Sequence, residues 1–444
     1  MFTSILIAFP LAVVATTQDA SPTKTEKWTQ EELERVAADI QADLEEMREA
    51  KFKRPVKVQT GSKQDFLDYV RRRQEKTETP ERRARDETVA KMLGLIPPEM
   101  DVQAELKKLL EAQVGGFYDP SSDTFFIMDS FGGDLAKIIL AHELTHALDD
   151  QYYDLDGKLA AAKEQSDAEF SLSALFEGSG TSAMNQWTFK RLKDLDKKAL
   201  MESANVGTQG LDTAPALLWK PLIAAYLRGE GFLVHAEGMN IAMKAPTLED
   251  VRRAFERPPR SSEQILHPAK YWDEEKLDEP RKIEFDASKR PEGWTVLGED
   301  TLGEIYLAIL TTPPDKRGGF DTKNPFAIIG LQFTNKAAEG WGGDRMLLLG
   351  KGDLRWLELV TIWDTPDDAR EFFDLVKPGR DAYLPDRGLL ARKVLHDEGS
   401  DAVVIHLLAS KSMRPASDEE LLSADLPWFF DYTLPWTAET KKSP

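Results

Sequence analysis

The chain has 444 residues, which is more than one hydrophobic core usually organises, so two domains are the default expectation. Its 57 Lys and Arg residues against 77 Asp and Glu residues give a net charge of −20, and so acidic a surface repels nucleic acid and anionic lipid headgroups. The sequence contains no cysteine, which excludes disulfides, thiolate nucleophiles and zinc sites that need sulfur, so imidazole and carboxylate groups must hold any bound metal.

The N-terminal segment contains an apolar run from Ile5 to Ala15, eleven residues long. This run is too short to span a bilayer, but its length suits the core of a secretory signal peptide. No Lys or Arg precedes it, and a buried N-terminal segment is the alternative. We predict a signal peptide over residues 1–20 and an exported protein, periplasmic or extracellular. Because no other stretch approaches transmembrane length, we predict no stable membrane insertion.

Residues 29–47 are predicted to form an amphipathic helix. Thr29 and Glu32 have the spacing of a capping box, and apolar residues then recur at helical intervals. Further along, residues 115–129 are typical of a strand, a turn and a second strand, with strand-forming residues from Thr124 to Asp129.

Two helices are predicted to follow this pair of strands. The first begins after Gly132-Gly133 and ends near residues 150–153, where turn-forming residues follow. The second runs from about residue 164 through Glu177 towards Leu192.

The composition changes near residue 280, where residues 278–294 are charged and contain two prolines, which is typical of an interdomain linker. Beyond it, the pattern predicts two strands, a helix and two further strands, which together form a small α+β domain with an antiparallel sheet. We therefore predict an α+β protein with one domain over residues 25–280 and a smaller domain over residues 290–444.

The first predicted helix carries the sequence HELTH, with His142 and His146 four residues apart. They are separated by about 40° of helical rotation, so both imidazoles leave the same face and can reach one zinc ion. Glu143 flanks this position and could take a proton from a water whose pKa the metal lowers. The alternative is a helix whose two histidines are satisfied by ordinary neighbours. The pattern favours a Zn²⁺ site with Glu143 as the general base.

A catalytic zinc needs a third protein ligand and an open fourth position. Asp150 lies two turns beyond His142, which suits the end of the helix or a supporting role better than a ligand. Glu177 follows three apolar residues, and Gly178 and Gly180 leave room for close approach. A glutamate in such a run is costly to bury unless it binds something, whereas the alternative places it at the exposed edge of the helix.

The segments AHELTHALDDQ and ALFEGSGT resemble the gluzincin branch of the zincin metallopeptidases. The resemblance implies that His142, His146 and Glu177 hold zinc and that Glu143 is the base. It also implies a zincin-like domain over residues 25–280, with the HExxH helix packed on a small mixed sheet, and a strand at residues 124–129 that pairs with an extended peptide substrate. More loosely, residues 90–275 resemble bacterial secreted proteins described as neutral zinc metallopeptidases.

The sequence also departs from related patterns. Thirty residues separate His146 from Glu177, more than in thermolysin-like enzymes, and Thr181 stands where those enzymes place an aspartate that orients a ligand. The metzincin pattern fails because it needs a glycine and a histidine where this chain has Asp149 and Tyr152.

A second hydrogen-bond donor usually helps the metal to stabilise the tetrahedral oxyanion of peptide hydrolysis. The downstream side chains that could donate are Tyr226, His235, His267 and Tyr271. We predict His267, because its Pro-flanked loop could bring it over the cleft. The alternative is a histidine that caps a helix or packs on Tyr271.

These expectations define a zinc peptidase whose partner is a peptide or protein substrate. Two rivals stay open: a non-catalytic zinc-binding scaffold with a protease-like fold, and a metal-dependent hydrolase of a non-peptide substrate. The intact Glu143 argues against the scaffold, because a site without turnover has no need of the base. Neither the oligomeric state nor the role of the C-terminal domain follows from the sequence.

Overall fold

The computed structural model describes residues 28–113, 115–119, 122–128, 132–163, 165–196, 211–236, 241, 244–319, 330–377, 389–413, 429 and 432–440. The predicted signal peptide lies outside these residues. Within them the protein is α+β, with thirteen α-helices and ten strands in three sheets. Among the helices so described, none is both long enough and apolar enough to cross a membrane.

The helices are α1 (Gln30–Arg48), α2 (Lys63–Thr77), α3 (Pro80–Met92), α4 (Val102–Gln113), α5 (Gly133–Tyr153), α6 (Leu155–Ala161), α7 (Ser166–Lys190), α8 (Ala216–Leu233), α9 (Leu248–Glu256), α10 (Ser262–Leu266), α11 (Ala269–Trp272), α12 (Gly303–Leu310) and α13 (Pro366–Val376). The strands are β1 (Lys57–Gly61), β2 (Gly116–Asp119), β3 (Thr124–Met128), β4 (Ile283–Phe285), β5 (Thr295–Asp300), β6 (Trp341–Lys351), β7 (Leu354–Trp363), β8 (Leu389–Leu395), β9 (Ala402–Ser410) and β10 (Trp436–Ala438).

Helix α1 begins at the predicted capping box. The Thr29 hydroxyl accepts a hydrogen bond from the backbone N–H of Glu32, and the Glu32 carboxylate accepts one from the backbone N–H of Thr29. The apolar face of α1 includes Leu33, Ile40 and Leu44, which are buried in one hydrophobic cluster with residues of α5. Burial of this face fixes α1 against the helix that carries the HELTH sequence.

The N-terminal sheet has the strand order β1-β3-β2, with β1 parallel and β2 antiparallel to β3. Helix α5 packs on β2 and β3. The resemblance implies that residues 124–129 pair with a peptide, which requires an open strand edge. Residues 124–128 of β3 have no such edge, because β3 is hydrogen-bonded to β1 on one side and to β2 on the other, and Asp129 lies outside the described residues. An almost unbroken apolar strand such as TFFIM is typical of the interior of a sheet.

Helices α5 and α7 are buried on nearly all sides, as expected of helices inside a large core. Helix α7 packs against both α5 and α8. A side chain at Gly178 of α7 would overlap the backbone of Gly229 in α8, and one at Gly229 would overlap the backbone of Ala174. These two glycines let α7 and α8 approach closely on either side of Glu177.

The C-terminal sheet is antiparallel, with the strand order β5-β6-β7-β9-β8. The predicted series of two strands, a helix and two strands is confirmed by β6, β7, α13, β8 and β9. The segment predicted as a linker contains β4, which pairs with β10.

One hydrophobic cluster includes residues from both predicted domains, among them Phe176, Leu307 and Trp363. Buried polar contacts also cross the predicted boundary, because the carboxylate of Asp300 accepts hydrogen bonds from the backbone N–H and the hydroxyl of Ser166, at 2.8 and 2.6 Å. The division into residues 25–280 and 290–444 stays a prediction, and the two parts share a continuous core.

Candidate metal centre

Helix α5 brings the two histidines of the HELTH sequence together on one face. Nε2 of His142 and Nε2 of His146 are 2.9 Å apart, and the two rings meet edge to face. Each residue is 1% exposed. The i, i+4 spacing thus aims both imidazoles at one point, as the sequence predicted.

Helix α7 supplies a carboxylate at the same point. Oε2 of Glu177 lies 3.1 Å from Nε2 of His142 and 3.4 Å from Nε2 of His146. Glu177 is buried, so the alternative of a glutamate at the exposed edge of the helix is excluded. We call His142, His146 and Glu177 the metal cluster.

The geometry of the metal cluster fits a tetrahedral zinc ion. Atoms about 2.0–2.1 Å from such an ion lie roughly 3.3 Å from one another, close to the three separations in the cluster. Among the described residues, Nδ1 of each histidine is buried without a hydrogen-bond partner. With both imidazoles neutral and protonated on Nδ1, the lone pairs of the two Nε2 atoms would face each other, an arrangement that a shared cation would stabilise.

The pKa values of the metal-cluster residues also favour a bound cation. Burial would raise the pKa of Glu177, but the neighbouring histidines lower it to about 2. Burial lowers the pKa of His142, whereas at His146 the Glu177 carboxylate outweighs burial and raises the pKa to about 9. The charged carboxylate is therefore balanced by positive charge on the histidine pair, and a divalent cation would provide the same balance more strongly.

Glu143 lies beside the metal cluster and not in it. Burial raises the pKa of Glu143 to about 8, against the opposing effects of His146 and of a hydrogen bond from the backbone N–H of Tyr118 in β2. Oε1 of Glu143 is buried, and no hydrogen-bond partner for it lies in the part of the chain that the structure describes. A buried carboxylate with one oxygen held and the other unengaged is a suitable proton acceptor.

Two neighbours hold the ring of His142. The ring of Tyr226, on α8, stacks on it with centroids 5.7 Å apart. A Cβ at Gly180 would lie 2.8 Å from Cε1 of His142, so the ring occupies the space that a side chain at position 180 would need. The predicted role of Gly180, room for close approach, applies to this imidazole.

The structure does not bring His267 into this cluster. His267 follows α10 as its C-cap residue, and its Nε2 lies 2.9 Å from Oε1 of Glu304. The helix-capping alternative describes it better than an oxyanion donor. Of the four residues considered for that role, Tyr226 is the one that contacts a metal-cluster residue.

Asp150 ends its helix instead of binding the cluster. Its Oδ1 accepts a hydrogen bond from the backbone N–H of Leu155 at 3.1 Å, in the turn after α5. Thr181 is buried, and its hydroxyl has no hydrogen-bond partner among the residues described, so it orients no side chain of the metal cluster.

Sequence reasoning missed a polar network beside the cluster, formed by Arg48, Asp149 and Ser179. The Ser179 hydroxyl donates to Oδ2 of Asp149 at 2.5 Å, and Nη2 of Arg48 lies 3.1 Å from the same oxygen. Arg48 also donates to Ser179. The available signal was the position of Asp149, one helical turn after His146.

A second group of three acidic side chains lies elsewhere, around Lys270. Nζ of Lys270 donates to Glu263, to Asp278 at 3.1 Å and to Asp364 at 2.9 Å. These carboxylates outweigh burial and raise the pKa of Lys270, so the ammonium stays charged. We call these four residues the lysine cluster. Its acidic groups could hold a cation, and the chain itself supplies one.

Among known protein families, one model matches a segment in the C-terminal part of the chain. A family model described as Domain of unknown function (DUF8575) matches residues 294–401, which include β5 to β8 and none of the metal cluster. The searches of curated proteins and of solved structures find no match.

Proposed function

We propose that this protein is an exported zinc-dependent peptidase of the gluzincin type. The proposal rests on the convergence of two imidazole nitrogens and one carboxylate oxygen in the metal cluster, within 3.4 Å of one another. Three protein ligands leave a fourth position for catalysis, and an unengaged carboxylate, Glu143, adjoins them.

His142, His146 and Glu177 would hold the metal. When bound, zinc supplies a Lewis acid that polarises a carbonyl and makes water more acidic. Glu143 acts as the general base, accepting a proton on Oε1 while the N–H of Tyr118 fixes the other end of the side chain. The glutamate then returns this proton to the leaving amine.

The substrate class, a peptide or protein, rests on the resemblance to gluzincins. Strand pairing at residues 124–128 does not support a peptide substrate, because β3 lies between β1 and β2 in the sheet. In the sheet as described, β2 is the edge strand beside Glu143, but the N–H of Tyr118 is used by Glu143 and its C=O accepts from the hydroxyl of Tyr69. A metal-dependent hydrolase of a non-peptide substrate is therefore the rival within catalysis.

One observation favours a non-catalytic zinc protein as a second candidate. All three residues of the metal cluster and Glu143 are 3% exposed or less. Structural zinc sites are closed to solvent in this way, whereas catalysis needs access for substrate. The unengaged Glu143 still favours catalysis, because a purely structural site gains nothing from burying a free carboxylate.

The decisive experiment combines zinc analysis with hydrolysis of a broad peptide library. We expect about one zinc per chain, and we expect Glu143→Gln to keep the zinc while losing on the order of 10²–10⁴ in rate, the usual contribution of general base catalysis. Glu177→Ala should lose the zinc, whereas Asp150→Ala, which removes a carboxylate near the end of α5, the helix of the two histidines, should keep it. A zinc-loaded wild type that cleaves no peptide would overturn the peptidase and leave the two rivals, the non-catalytic zinc protein and the hydrolase of a non-peptide substrate.

A further inference from the structure

The Arg48–Asp149–Ser179 network joins three helices at a buried point beside the metal cluster. Asp149 is on α5, Ser179 on α7, and Arg48 is the last residue of α1. Asp149 and Ser179 are 4% and 1% exposed, and Arg48 keeps 11% of its side chain exposed. The hydrogen bonds between them are charge-assisted in a low-dielectric setting, where such bonds are strongest.

The network lies beside the metal cluster along both helices. Asp149 is seven residues after His142 and three after His146, so it continues their stripe along α5, within about 60° of both. On α7, Ser179 follows Glu177 by two residues, so the two side chains leave that helix about 160° apart. Ser179 also precedes Gly180, which packs on the ring of His142. The hydrogen bond from Ser179 to Asp149 joins α5 and α7 close to the contacts between Glu177 and the two histidines.

We propose that Asp149, Ser179 and Arg48 are positioning residues that hold Glu177 at liganding distance from the two histidines. This inference rests on the proposed zinc site. The residues do not touch the metal or the substrate. They act by fixing the separation of α5 and α7, on which the distance from Oε2 of Glu177 to the imidazoles depends.

The chemistry of the network explains why three residues are needed. Ser179 donates its only proton to Asp149, and its oxygen accepts from Arg48, so the hydroxyl links the carboxylate to the guanidinium. The guanidinium balances the buried carboxylate, and removing either partner leaves an uncompensated charge. Loosening any one contact therefore releases α7 from α5 just where Glu177 must not move.

The chain provides a matched control at the other end of the same helix contact. Asp43 of α1 accepts hydrogen bonds from Trp187 at 2.9 Å and from Arg191 at 2.7 Å, so it also ties α1 to the C-terminal end of α7. Asp43 is also a buried carboxylate, 9% exposed. Its partners Trp187 and Arg191 lie ten or more residues after Glu177 in the sequence. Its loss should cost stability without changing the metal cluster.

The test measures zinc affinity by chelator competition, on the folded fraction of the full chain. Ser179→Ala and Asp149→Asn should each weaken zinc binding by about 10–100-fold, the usual cost of losing a group that orients ligands. Asp43→Asn should leave the affinity at the wild-type value. Cobalt provides a second readout, since the visible spectrum of the cobalt-loaded protein reports coordination geometry and should change only in the first two variants.

Three outcomes separate the possibilities. Wild-type affinity and spectrum in Ser179→Ala would overturn the positioning role even if Asp149→Asn fails to fold. An equal loss in Asp43→Asn would also overturn it, because the effect would then be general destabilisation. A wild-type chain that binds no zinc would refute the proposed function itself, before any variant is compared.

Discussion

The metal cluster and the lysine cluster both bury carboxylates, and they differ in how the negative charge is balanced. Each collects side chains that could bind a cation, and each is largely buried. In the lysine cluster an ammonium group of the same chain contacts all three carboxylates. In the metal cluster the groups that face Glu177 are two imidazoles, which are metal ligands when neutral. Buried acidic groups therefore indicate a metal site only when the chain offers no permanent cation of its own.

The largest effect should come from removing the internal cation. Lys270→Met keeps the length and packing of the side chain but leaves three carboxylates without their shared partner. Because an uncompensated buried charge is strongly unfavourable, we expect the free energy of unfolding to fall by about 3–5 kcal/mol, measured by urea denaturation.

The same variant should convert the lysine cluster into a binding site for a divalent cation. Without Lys270, the lysine cluster consists of oxygen ligands alone, which hard divalent cations prefer. Calcium should restore part of the lost stability of Lys270→Met and leave the wild type unchanged. If the variant unfolds at the wild-type urea concentration, the lysine is not what neutralises these carboxylates and the comparison fails.

A smaller effect is expected at Gly180, where the packing of a metal-cluster imidazole depends on a missing side chain. Gly180→Ala places a methyl group 2.8 Å from Cε1 of His142, so the ring must shift. We expect a loss of about 1–3 kcal/mol in stability from overpacking, together with weaker zinc binding by isothermal titration calorimetry. Gly318→Ala is the control, since a Cβ there meets no atom of the described residues within 4 Å. Unchanged zinc affinity in Gly180→Ala would show that the imidazole tolerates displacement.

The sequence predicted the metal cluster well because its signals are local. The i, i+4 spacing of His142 and His146 depends only on helix geometry, and α5 covers the predicted range. Glu177 was also predicted, since an acidic residue in an apolar run followed by glycines is informative without any tertiary contact. The α+β class followed from periodicity and turn residues.

What failed depended on contacts between distant segments. The interior position of β3 results from its pairing with β1, more than sixty residues earlier, and periodicity does not reveal which strand becomes a neighbour. His267 was predicted to reach the site because its loop is flanked by proline, but Glu304 determines where its ring lies. The Arg48–Asp149–Ser179 network needs three helices to meet, so only Asp149 carried a signal.

The smallest expected effect concerns a buried carboxylate that has neither a lysine nor a metal-cluster partner. Glu230 of α8 is 4% exposed and accepts a hydrogen bond from the amide of Asn185 at 2.8 Å. Burial raises the pKa of Glu230 to about 7, from 4.5. The folded state then binds more protons than the unfolded state between these values, so the contribution of Glu230 to stability is fully present below pH 4.5 and is lost as the pH rises through about 7.

Glu230→Gln tests this interpretation because glutamine keeps the shape of the side chain and does not titrate. The stability of the variant relative to wild type should increase by about 1–2 kcal/mol between pH 5 and pH 8, measured by urea denaturation at each pH. Taking the difference between the two proteins removes the contributions of other buried acids, such as Asp167 and Asp344, which both contain. If the free energies of unfolding of the two proteins change in parallel with pH, Glu230 stays ionised over this range. A charged carboxylate buried beside a neutral amide would then need a cation to balance it. A proton on Glu230, an ammonium in the lysine cluster and a divalent ion in the metal cluster would thus be three ways of neutralising buried acid in one core.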